Sequence, residues 1–365
     1  MSYYEKLLKY KNADFAFCGK ISEQIIKNIL DKEILSQKDF LLLLSPKARP
    51  YLELIAKKAQ KITRQFFGKN ILLYAPIYVA NFCMNGCAYC SFSSNNKIKR
   101  EILSLEQVES EAKALSALGI RHMVLVCGES SNTSIEYLAN CVKILSKYFY
   151  SISLEVYPLD TGVYKKLFAL GADGVTIYQE VYDEEIYGQV HLRGPKTNYL
   201  LRLDAPERAC KAGARNINIG PLLGLNDPVK EIFSAAMHIK YLEGKYPDID
   251  FSLSFPRIKS NAGNFTPKYP LDDKTFVHIM LACRIFLPRA GITLSTRESA
   301  YMRDNILPLC ITKMSAQAST KVGGYSISKE DTGQFENEDR RSVEEIKNQI
   351  YGLGYQPVFK DWLHL

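Results

Sequence analysis

Three cysteines, Cys83, Cys87 and Cys90, are the residues whose type and spacing most directly indicate chemistry in this sequence. They form a C-x3-C-x2-C arrangement directly after an apolar segment that spans Ile71–Ala80. Cysteine thiolates hold iron–sulfur clusters, and four protein thiolates would complete a closed electron carrier. Three thiolates leave one iron of a [4Fe–4S] cluster available to a small molecule. The spacing therefore predicts an enzyme that uses such a cluster.

Two other interpretations of these cysteines fit the sequence less well. A zinc site normally completes four ligands with a further Cys or His at short range, but the next histidine downstream is His122. A disulfide framework is disfavoured because nine cysteines is an odd number in a long chain without a secretory signal. The other six stand singly in apolar stretches and are expected to be small buried side chains: Cys18, Cys127, Cys141, Cys210, Cys283 and Cys310. Free thiols and an oxygen-sensitive cluster indicate a reducing, cytoplasmic location.

The composition indicates an ordinary globular protein. A chain of 365 residues with 47% apolar residues can bury a large core. No run of 18 apolar residues occurs, which predicts no membrane-spanning helix, and the first residues lack the apolar core of a signal peptide. The net charge of +8 is spread along the chain and does not require a nucleic-acid partner. We therefore expect neither nucleic-acid nor membrane binding.

Lys97, Lys99 and Arg100 form the densest basic cluster, and they stand just after the cysteines. Their charge fits a solvated loop. Their position also fits a docking patch for an acidic electron donor, and the sequence leaves both interpretations open.

The cysteines must be positioned by a repeating alternation of strands and helices. Eight apolar, β-branched segments predict strands: Ile71–Ala80, His122–Cys127, Ser151–Tyr157, Gly174–Tyr178, Asn216–Leu223, Phe251–Phe255, Ile292–Ser295 and Ile311–Ala316. Amphipathic segments predict helices at 104–118, 133–149, 161–170, 198–212, 228–244, 272–287 and 299–307. This is the pattern of an α/β fold, a (β/α)8 TIM-type barrel.

The remaining segments flank this barrel. We expect an N-terminal helical extension over 1–68, the barrel over 69–325, and a C-terminal helix and tail over 326–365 that packs on the barrel. Within the tail, the polar stretch 326–350 reads as a surface excursion, a helix is predicted at Val343–Leu353, and Pro357–Trp362 is expected to dock back on the body.

Active-site residues of such barrels come from the C-terminal ends of the strands, and polar side chains follow every predicted strand. The candidates are Gly128 and Glu129 after the second strand, Glu155 in the third, Glu180 after the fourth, Arg257 after the sixth, and Ser295, Thr296, Arg297 and Glu298 at the seventh. Any one of them could be a helix cap or a structural ion pair. Polar groups at all eight ends together indicate an active site.

Sequence blocks at these positions resemble the 2-iminoacetate synthases, the radical S-adenosylmethionine tyrosine lyases of thiamine thiazole biosynthesis. The blocks are Pro76-Ile-Tyr-Val-Ala-Asn81 before the cysteines, Tyr178-Gln-Glu-x-Tyr182, Ser254-Phe-Pro-Arg257, Leu294-Ser-Thr-Arg-Glu298 and Gly323-Gly-Tyr325. The cysteine triad is specific to the radical S-adenosylmethionine superfamily. The arginine-containing blocks narrow the resemblance to the lyases of aromatic amino acids within it. The resemblance extends from Leu44 to Trp362.

The resemblance implies a [4Fe–4S] cluster and S-adenosyl-L-methionine as cofactors, and a low-potential flavodoxin or ferredoxin as electron donor. The radical made from the cofactor would take hydrogen from L-tyrosine, and the Cα–Cβ bond would break to give 2-iminoacetate and p-cresol, with 5′-deoxyadenosine and methionine. Thiazole synthase is the implied partner that receives the unstable imine.

Three alternatives remain. The chain could be a tryptophan lyase, or the tyrosine lyase of hydrogenase maturation, which carries further C-terminal cluster cysteines and continues to carbon monoxide and cyanide. Because no cysteine follows Cys310, the thiamine enzyme is favoured over that relative. A passive scaffold or electron carrier is the non-enzyme alternative.

The resemblance also implies roles for single residues. Cys83, Cys87 and Cys90 would ligate the cluster. Glu180 would bind the ammonium or ribose of S-adenosylmethionine and Arg202 its carboxylate, with Glu129 and Glu155 as alternates. Gly128 would let backbone carbonyls approach the cofactor's ammonium, and Tyr89 would lie against its adenine.

The carboxylate of tyrosine is best bound by a planar cation that donates two parallel hydrogen bonds, which arginine provides better than lysine. We expect Arg297 to fill this role, with Ser295 and Thr296 as hydroxyl partners, and Arg257 is the second candidate. The alternative for Arg297 is a structural ion pair with Glu298.

Overall fold

The computed structural model describes residues 2–10, 21–263, 265–327 and 332–360. Eight parallel strands form a closed barrel in which each strand pairs with the next and the eighth pairs with the first. They are β1 (Asn70–Ala80), β2 (His122–Cys127), β3 (Ser151–Glu155), β4 (Gly174–Glu180), β5 (Asn216–Pro221), β6 (Asp250–Ser254), β7 (Gly291–Leu294) and β8 (Lys313–Ser315). The predicted (β/α)8 barrel and its eight strands are confirmed.

Helices surround the barrel and cover its outer face. They are α1 (Tyr3–Tyr10), α2 (Glu23–Leu30), α3 (Gln37–Leu44), α4 (Leu52–Phe67), α5 (Leu105–Ala117), α6 (Ile135–Leu145), α7 (Thr161–Phe168), α8 (Glu184–Val190), α9 (Tyr199–Leu203), α10 (Ala205–Lys211), α11 (Pro228–Glu243), α12 (Asp273–Phe286), α13 (Ala300–Cys310) and α14 (Val343–Gly352). Short 3-10 turns occupy Pro46–Tyr51 and Pro195–Thr197.

The helix starts follow from local chemistry. Ser104 and Ser342 each cap a helix through a capping box with the residue three positions on, which satisfies backbone N–H groups that the first turn leaves without partners. The predicted helix at 198–212 is divided at Asp204, because Pro206 has no N–H group and begins a new helix. Helix α8 was not predicted, since its seven residues are too few for a clear helical period.

The N-terminal helices pack on the outside of the barrel. Tyr3 of α1 stacks on His238 of α11 with ring centroids 3.9 Å apart, and α4 packs against α12 and α13. At the other end of the chain, β9 (Gln356–Val358) pairs in parallel with the first residues of β1. The remainder of the predicted docking segment, Asp361 and Trp362, lies outside the described residues, as does Cys18. Within the described parts of the chain, no helix has the length and apolarity needed to cross a membrane.

Residues 332–339, which we call the lid segment, cross the C-terminal mouth of the barrel. Asn337 donates to the Ala318 carbonyl at 2.7 Å and accepts from Thr296 at 3.0 Å. Asp339 is 2% exposed and pairs with Arg303, which is fully buried. The polar composition predicts a surface excursion over 326–350, and Thr332, Glu336 and Glu338 are exposed. The inner side of the lid segment covers the barrel cavity, which Phe335 and Asn337 line.

Candidate active site

The three cysteines lie in a loop of residues 81–103 between β1 and α5, which we call the cysteine loop. Arg100 holds this loop together by donating to the carbonyls of Asn81, Phe92, Ser93 and Asn96 at 2.7 to 3.1 Å. Arg100 therefore has a structural role. Lys97 and Lys99 are the exposed members of the basic cluster, and Lys99 pairs with Glu101.

Residues 190–196, after α8, form a second support for the cysteine loop. Backbone bonds join Gly86 to Arg193 at 2.9 Å and Ala88 to Val190 at 2.9 Å. A Cβ atom at Gly194, where φ is +88°, would collide with the Asn85 side chain. The backbone thus approaches the cysteine loop at a distance that a side chain would prevent.

The three thiols are free and influence one another electrostatically. Burial raises the pKa of Cys87, and it raises the pKa of Cys90 to about 12, while the positive charge of Lys196 opposes both shifts. Gln334 of the lid segment lies 3.9 Å from the Cys90 sulfur. Among the described residues, no three Cys, His, Asp or Glu side chains are grouped as ligands of a single metal ion.

This donor set fits an iron–sulfur cluster. Thiolates are the ligands of such clusters, and these three stand on one loop with a buried cation, Lys196, beside them. Lys196 is only 14% exposed in its side chain, so its charge acts in a low-dielectric environment where it can offset the negative charge of thiolates.

The end of β2 packs directly against the cysteine loop. A Cβ atom at Gly128 would collide with the Phe82 carbonyl oxygen and come within 3.0 Å of Cys83 Cβ. The carbonyl of Gly128 accepts from Thr133 at 2.9 Å. Glu129 accepts from the Asn85 side chain at 2.7 Å. The structure therefore shows both residues in contacts that shape the cysteine loop.

Glu180, at the end of β4, lies between two cations. Its carboxylate is 2.8 Å from the Lys196 ammonium and 3.6 Å from the Arg202 guanidinium, and Arg202 Nε also donates to the Tyr178 carbonyl at 2.6 Å. Burial opposes ionisation of Glu180, but the two cations outweigh it and hold its pKa below the usual value. Its φ of +69° is strained for a residue with a side chain, and such strain is concentrated at functional sites.

Tyr89, between Cys87 and Cys90, is fixed by a hydrogen bond of 2.7 Å between its hydroxyl and His191 Nε2. The Lys196 ammonium lies 5.5 Å from the centre of its ring. The ring thus faces the same buried cation as Glu180.

Two adjoining cavities open at the barrel mouth. The first extends into the barrel between Tyr74, Val124, Ser254 and Thr293. The second reaches Tyr89, Cys90 and Glu180. Five residues line both cavities: Glu155, Tyr178, Pro256, Arg297 and Phe335. These residues mark the boundary between the cysteine side and the barrel interior.

Glu155 and Arg297 are the charged side chains at this boundary. Burial raises the pKa of Glu155 to about 7, and the charge of Arg297 acts against that shift. Arg297 lies with its guanidinium carbon 3.2 Å from the ring centre of Phe335 in the lid segment, and its Nη1 donates to the Arg257 carbonyl at 3.4 Å. Ser295 accepts from the backbone N–H of Arg297 at 3.4 Å.

Arg257 has a different environment. Its guanidinium pairs with Glu298 and, at 2.8 Å, with Asp273, and it donates to the Leu271 carbonyl at 3.1 Å. Glu298 is therefore the partner of Arg257. The alternative in which Glu298 pairs with Arg297 is wrong, because the carboxylate of Glu298 pairs with Arg257.

Several residues of the site could not be identified from the sequence. Lys196 stands on a 3-10 turn without a recognisable motif, and Gln334 and Phe335 stand in a polar tail. Asn85 lies within the cysteine run, yet its contacts with Glu129 and with the Lys196 backbone at 2.8 Å depend on segments distant in sequence. Only the fold brings these residues together.

Comparisons with known proteins show the family of this chain. Residues 77–236 match the family described as the Radical SAM superfamily, and residues 254–356 match the Biotin and Thiamin Synthesis associated domain. The chain is 38% identical over 339 residues to "2-iminoacetate synthase" of Salmonella typhimurium, covering 92% of this chain and 90% of the relative. The protein of the same name from Escherichia coli is 37% identical with the same coverage.

A solved structure resembles the whole fold. The X-ray structure of the FeFe-hydrogenase maturase HydG from Carboxydothermus hydrogenoformans matches with a TM-score of 0.86 and 34% identity, covering 98% of this chain and 83% of that chain.

Proposed function

Because the chain belongs to the radical S-adenosylmethionine superfamily and, within it, to the family of 2-iminoacetate synthases, we propose that it cleaves the Cα–Cβ bond of L-tyrosine. The products are 2-iminoacetate and p-cresol, with 5′-deoxyadenosine and methionine from the cofactor, and the imine serves thiamine thiazole synthesis. Members of the superfamily carry a [4Fe–4S] cluster and S-adenosylmethionine, which together supply the radical that removes hydrogen from the substrate.

The observation that carries this proposal is the pair of adjoining cavities. One is lined by Cys90, Tyr89 and Glu180, and the other extends into the barrel, and Arg297 and Glu155 line both. A cofactor on the cysteine side and an amino acid in the barrel would therefore meet at these two residues.

The cysteine side offers complementary groups for the methionine moiety of the cofactor. In this proposal Cys83, Cys87 and Cys90 ligate the cluster. Arg202 and Lys196 face the cofactor's carboxylate, and Glu180 faces its ammonium. Both cations are buried against Glu180, so charge-assisted bonds to a zwitterion are favoured there.

The barrel side offers the corresponding groups for the substrate. Arg297 binds the carboxylate of tyrosine, and Ser295 stands beside it at the cavity wall. Glu155 accepts from the ammonium of tyrosine, a role that replaces its expected place near the cofactor. We prefer Arg297 to Arg257 because the guanidinium of Arg257 is already held by two carboxylates and a carbonyl.

The setting of the reaction is also part of the proposal. We infer a cytoplasmic protein that receives electrons from a low-potential flavodoxin or ferredoxin, for which the exposed Lys97 of the cysteine loop offers positive charge, with Lys99, which pairs with Glu101, close by. Thiazole synthase is the proposed acceptor, since an imine that hydrolyses in water gains from direct transfer.

A second candidate is tyrosine cleavage for hydrogenase maturation, which the match to the maturase structure favours. The 38% identity to 2-iminoacetate synthase over 92% of the chain supports the first candidate more strongly.

The test is an anaerobic incubation of the cluster-loaded protein with S-adenosylmethionine, a reductant, and either tyrosine or tryptophan. We expect p-cresol from tyrosine and no indole-derived product from tryptophan. Cys87→Ala should abolish both the visible absorbance of the cluster and p-cresol formation, because two thiolates do not hold the cluster. Cys310→Ala, a buried cysteine away from the loop, is the matched control and should keep both. Products from tryptophan alone would contradict the proposal.

A further inference from the structure

The deep end of the barrel cavity holds a buried hydroxyl group without a partner. Thr293 of β7 lines this cavity and is 4% exposed. Among the described residues that line the cavity, Thr293 is the one whose side-chain oxygen or nitrogen is buried without any hydrogen bond. Leaving a buried polar atom unsatisfied costs about 1–3 kcal/mol, so this hydroxyl calls for an explanation.

Two serine hydroxyl groups that line the same cavity already have partners. Ser254 exchanges hydrogen bonds of 2.9 and 3.0 Å with the Asn218 side chain. Ser315 accepts from the Thr296 N–H at 2.9 Å. The protein thus provides partners for both serines but not for Thr293.

The strand register places Thr293 on the inner face of the barrel. Its neighbour in register on β6 is Ser254, which lines the cavity. Its neighbour on β8 is Lys313, whose ammonium lies 5.0 Å from the ring centre of the cavity residue Tyr74. Residues in register on adjacent strands share a face of the sheet, so the side chain of Thr293 faces the interior as well.

Thr293 also lies deeper in the barrel than the residues of the mouth. It stands two residues before Ser295, which directly follows β7, and two residues of strand correspond to roughly 6.6 Å. Arg297 and Glu155 lie at the mouth, where the cavity meets the cysteine side. An amino acid whose charged groups bind at the mouth would extend its ring between Tyr74, Val124 and Tyr178 towards Thr293.

We propose that Thr293 hydrogen-bonds the phenol hydroxyl of bound tyrosine and thereby selects tyrosine over phenylalanine. This inference rests on the proposed function, since it gives Thr293 a role at the end of the same substrate site that would hold the aromatic ring. A site built to bond a substrate hydroxyl rejects the analogue without one, because the buried protein group then stays unpaired.

Equilibrium binding of tyrosine and phenylalanine to the cluster-loaded protein, with S-adenosylmethionine and without reductant, tests this proposal. Thr293→Val, which removes the hydroxyl at nearly constant shape, should weaken tyrosine binding by roughly ten- to a hundredfold and leave phenylalanine binding equal or tighter. Thr293→Ser keeps a hydroxyl and should keep the preference for tyrosine. The matched control is Thr176→Val on β4, whose hydroxyl pairs with Ser153 at 3.1 Å and which should keep the preference.

Equal loss for both amino acids in Thr293→Val, or an unchanged preference for tyrosine, would overturn the assignment and leave the hydroxyl to a water molecule. If Thr293→Val does not fold, Thr293→Ala replaces it and should likewise lose the preference for tyrosine, and an unchanged preference there would overturn the assignment. A failure of the proposed function is a separate result: the wild-type protein would then form no p-cresol from tyrosine.

Discussion

Arg297 and Arg257 lie near each other at the barrel mouth, but their guanidinium groups have different partners. Arg257 is held by Glu298 and Asp273, so its donors are used within the protein. Arg297 stacks on Phe335 and donates one long bond to a carbonyl. A cation with unused donors at a cavity wall can bind an anionic ligand, whereas a cation between two carboxylates stabilises a loop.

Arg297→Ala should therefore weaken tyrosine binding to the cluster-loaded protein by roughly ten- to a hundredfold, since a charge-assisted pair in a closed site is lost. Arg297→Lys should recover part of the affinity, because it restores the charge without the planar fork. Binding can be followed by calorimetry, with cluster content as the check on folding. Unchanged affinity in a cluster-loaded Arg297→Ala protein would remove this residue as the anchor.

Glu155 gives a prediction about pH. Burial raises the pKa of its carboxyl group from 4.5 to about 7, so the group is mostly neutral below that value and ionised above it. Only the ionised form attracts an ammonium fully, so tyrosine affinity should increase as the pH rises from about 6 to about 8. Glu155→Gln should bind tyrosine more weakly at the upper end and lose this pH dependence. An identical pH profile in the variant would contradict the role of Glu155.

Among single residues of the site, the sequence predicts those that belong to a short motif. The cysteine triad is such a motif, because its chemistry depends on three nearby thiolates. Lys196 and Thr293 belong to no such motif, because their roles depend on the groups around them in the fold. Lys196 contacts Glu180, 16 residues away, and Thr293 faces a cavity formed by several strands.

The lid segment is the element that crosses the barrel mouth. Gln334 joins Tyr78 at 2.8 Å and approaches Cys90 at 3.9 Å, and Phe335 separates the barrel cavity from the cysteine side. One short segment therefore contacts both the cysteine loop and the proposed substrate anchor. It lies over the boundary where the two ligands of the proposed function would meet.

The buried pair of Asp339 and Arg303 anchors the lid segment. Asp339→Asn leaves the fully buried Arg303 charge without its partner, and this should lower the free energy of unfolding by about 3–5 kcal/mol. Asp250→Asn is the control, because Asp250 lies outside this network, is 81% exposed and is 3.8 Å from Arg215, so its pair should contribute below about 1 kcal/mol. Urea unfolding followed by circular dichroism measures both. Equal losses in the two variants would show that the buried pair has no special role.

Strands of the barrel could be predicted because each is a run of apolar, β-branched residues bounded by polar ones. The lid segment could not, because its composition is that of an exposed tail. Arg303, which makes burial of Asp339 possible, stands 36 residues earlier in the chain, and no local pattern reveals such a partner. Helix α8 and strand β9 were missed because seven and three residues carry little periodicity.

The whole molecule places its chemistry at one end of a closed barrel. All strands run parallel, so the cysteine loop after β1, Glu180 at the end of β4 and Arg297 after β7 lie at the same rim. This arrangement follows from alternating strands and helices, which is why the location of the site could be predicted before its contacts were known. The interior of the barrel provides the second requirement, a cavity that can receive the ring of the proposed substrate.

The most direct test of the account is to follow the carbon atoms of uniformly ¹³C-labelled tyrosine through an anaerobic turnover. Cleavage of the Cα–Cβ bond places the ring and Cβ in p-cresol, and Cα with the carboxylate carbon in 2-iminoacetate, which water converts to glyoxylate and ammonium. We predict labelled p-cresol and labelled glyoxylate in roughly equal amounts when no partner captures the imine. Labelled carbon monoxide or cyanide, or p-cresol without glyoxylate, would contradict the account.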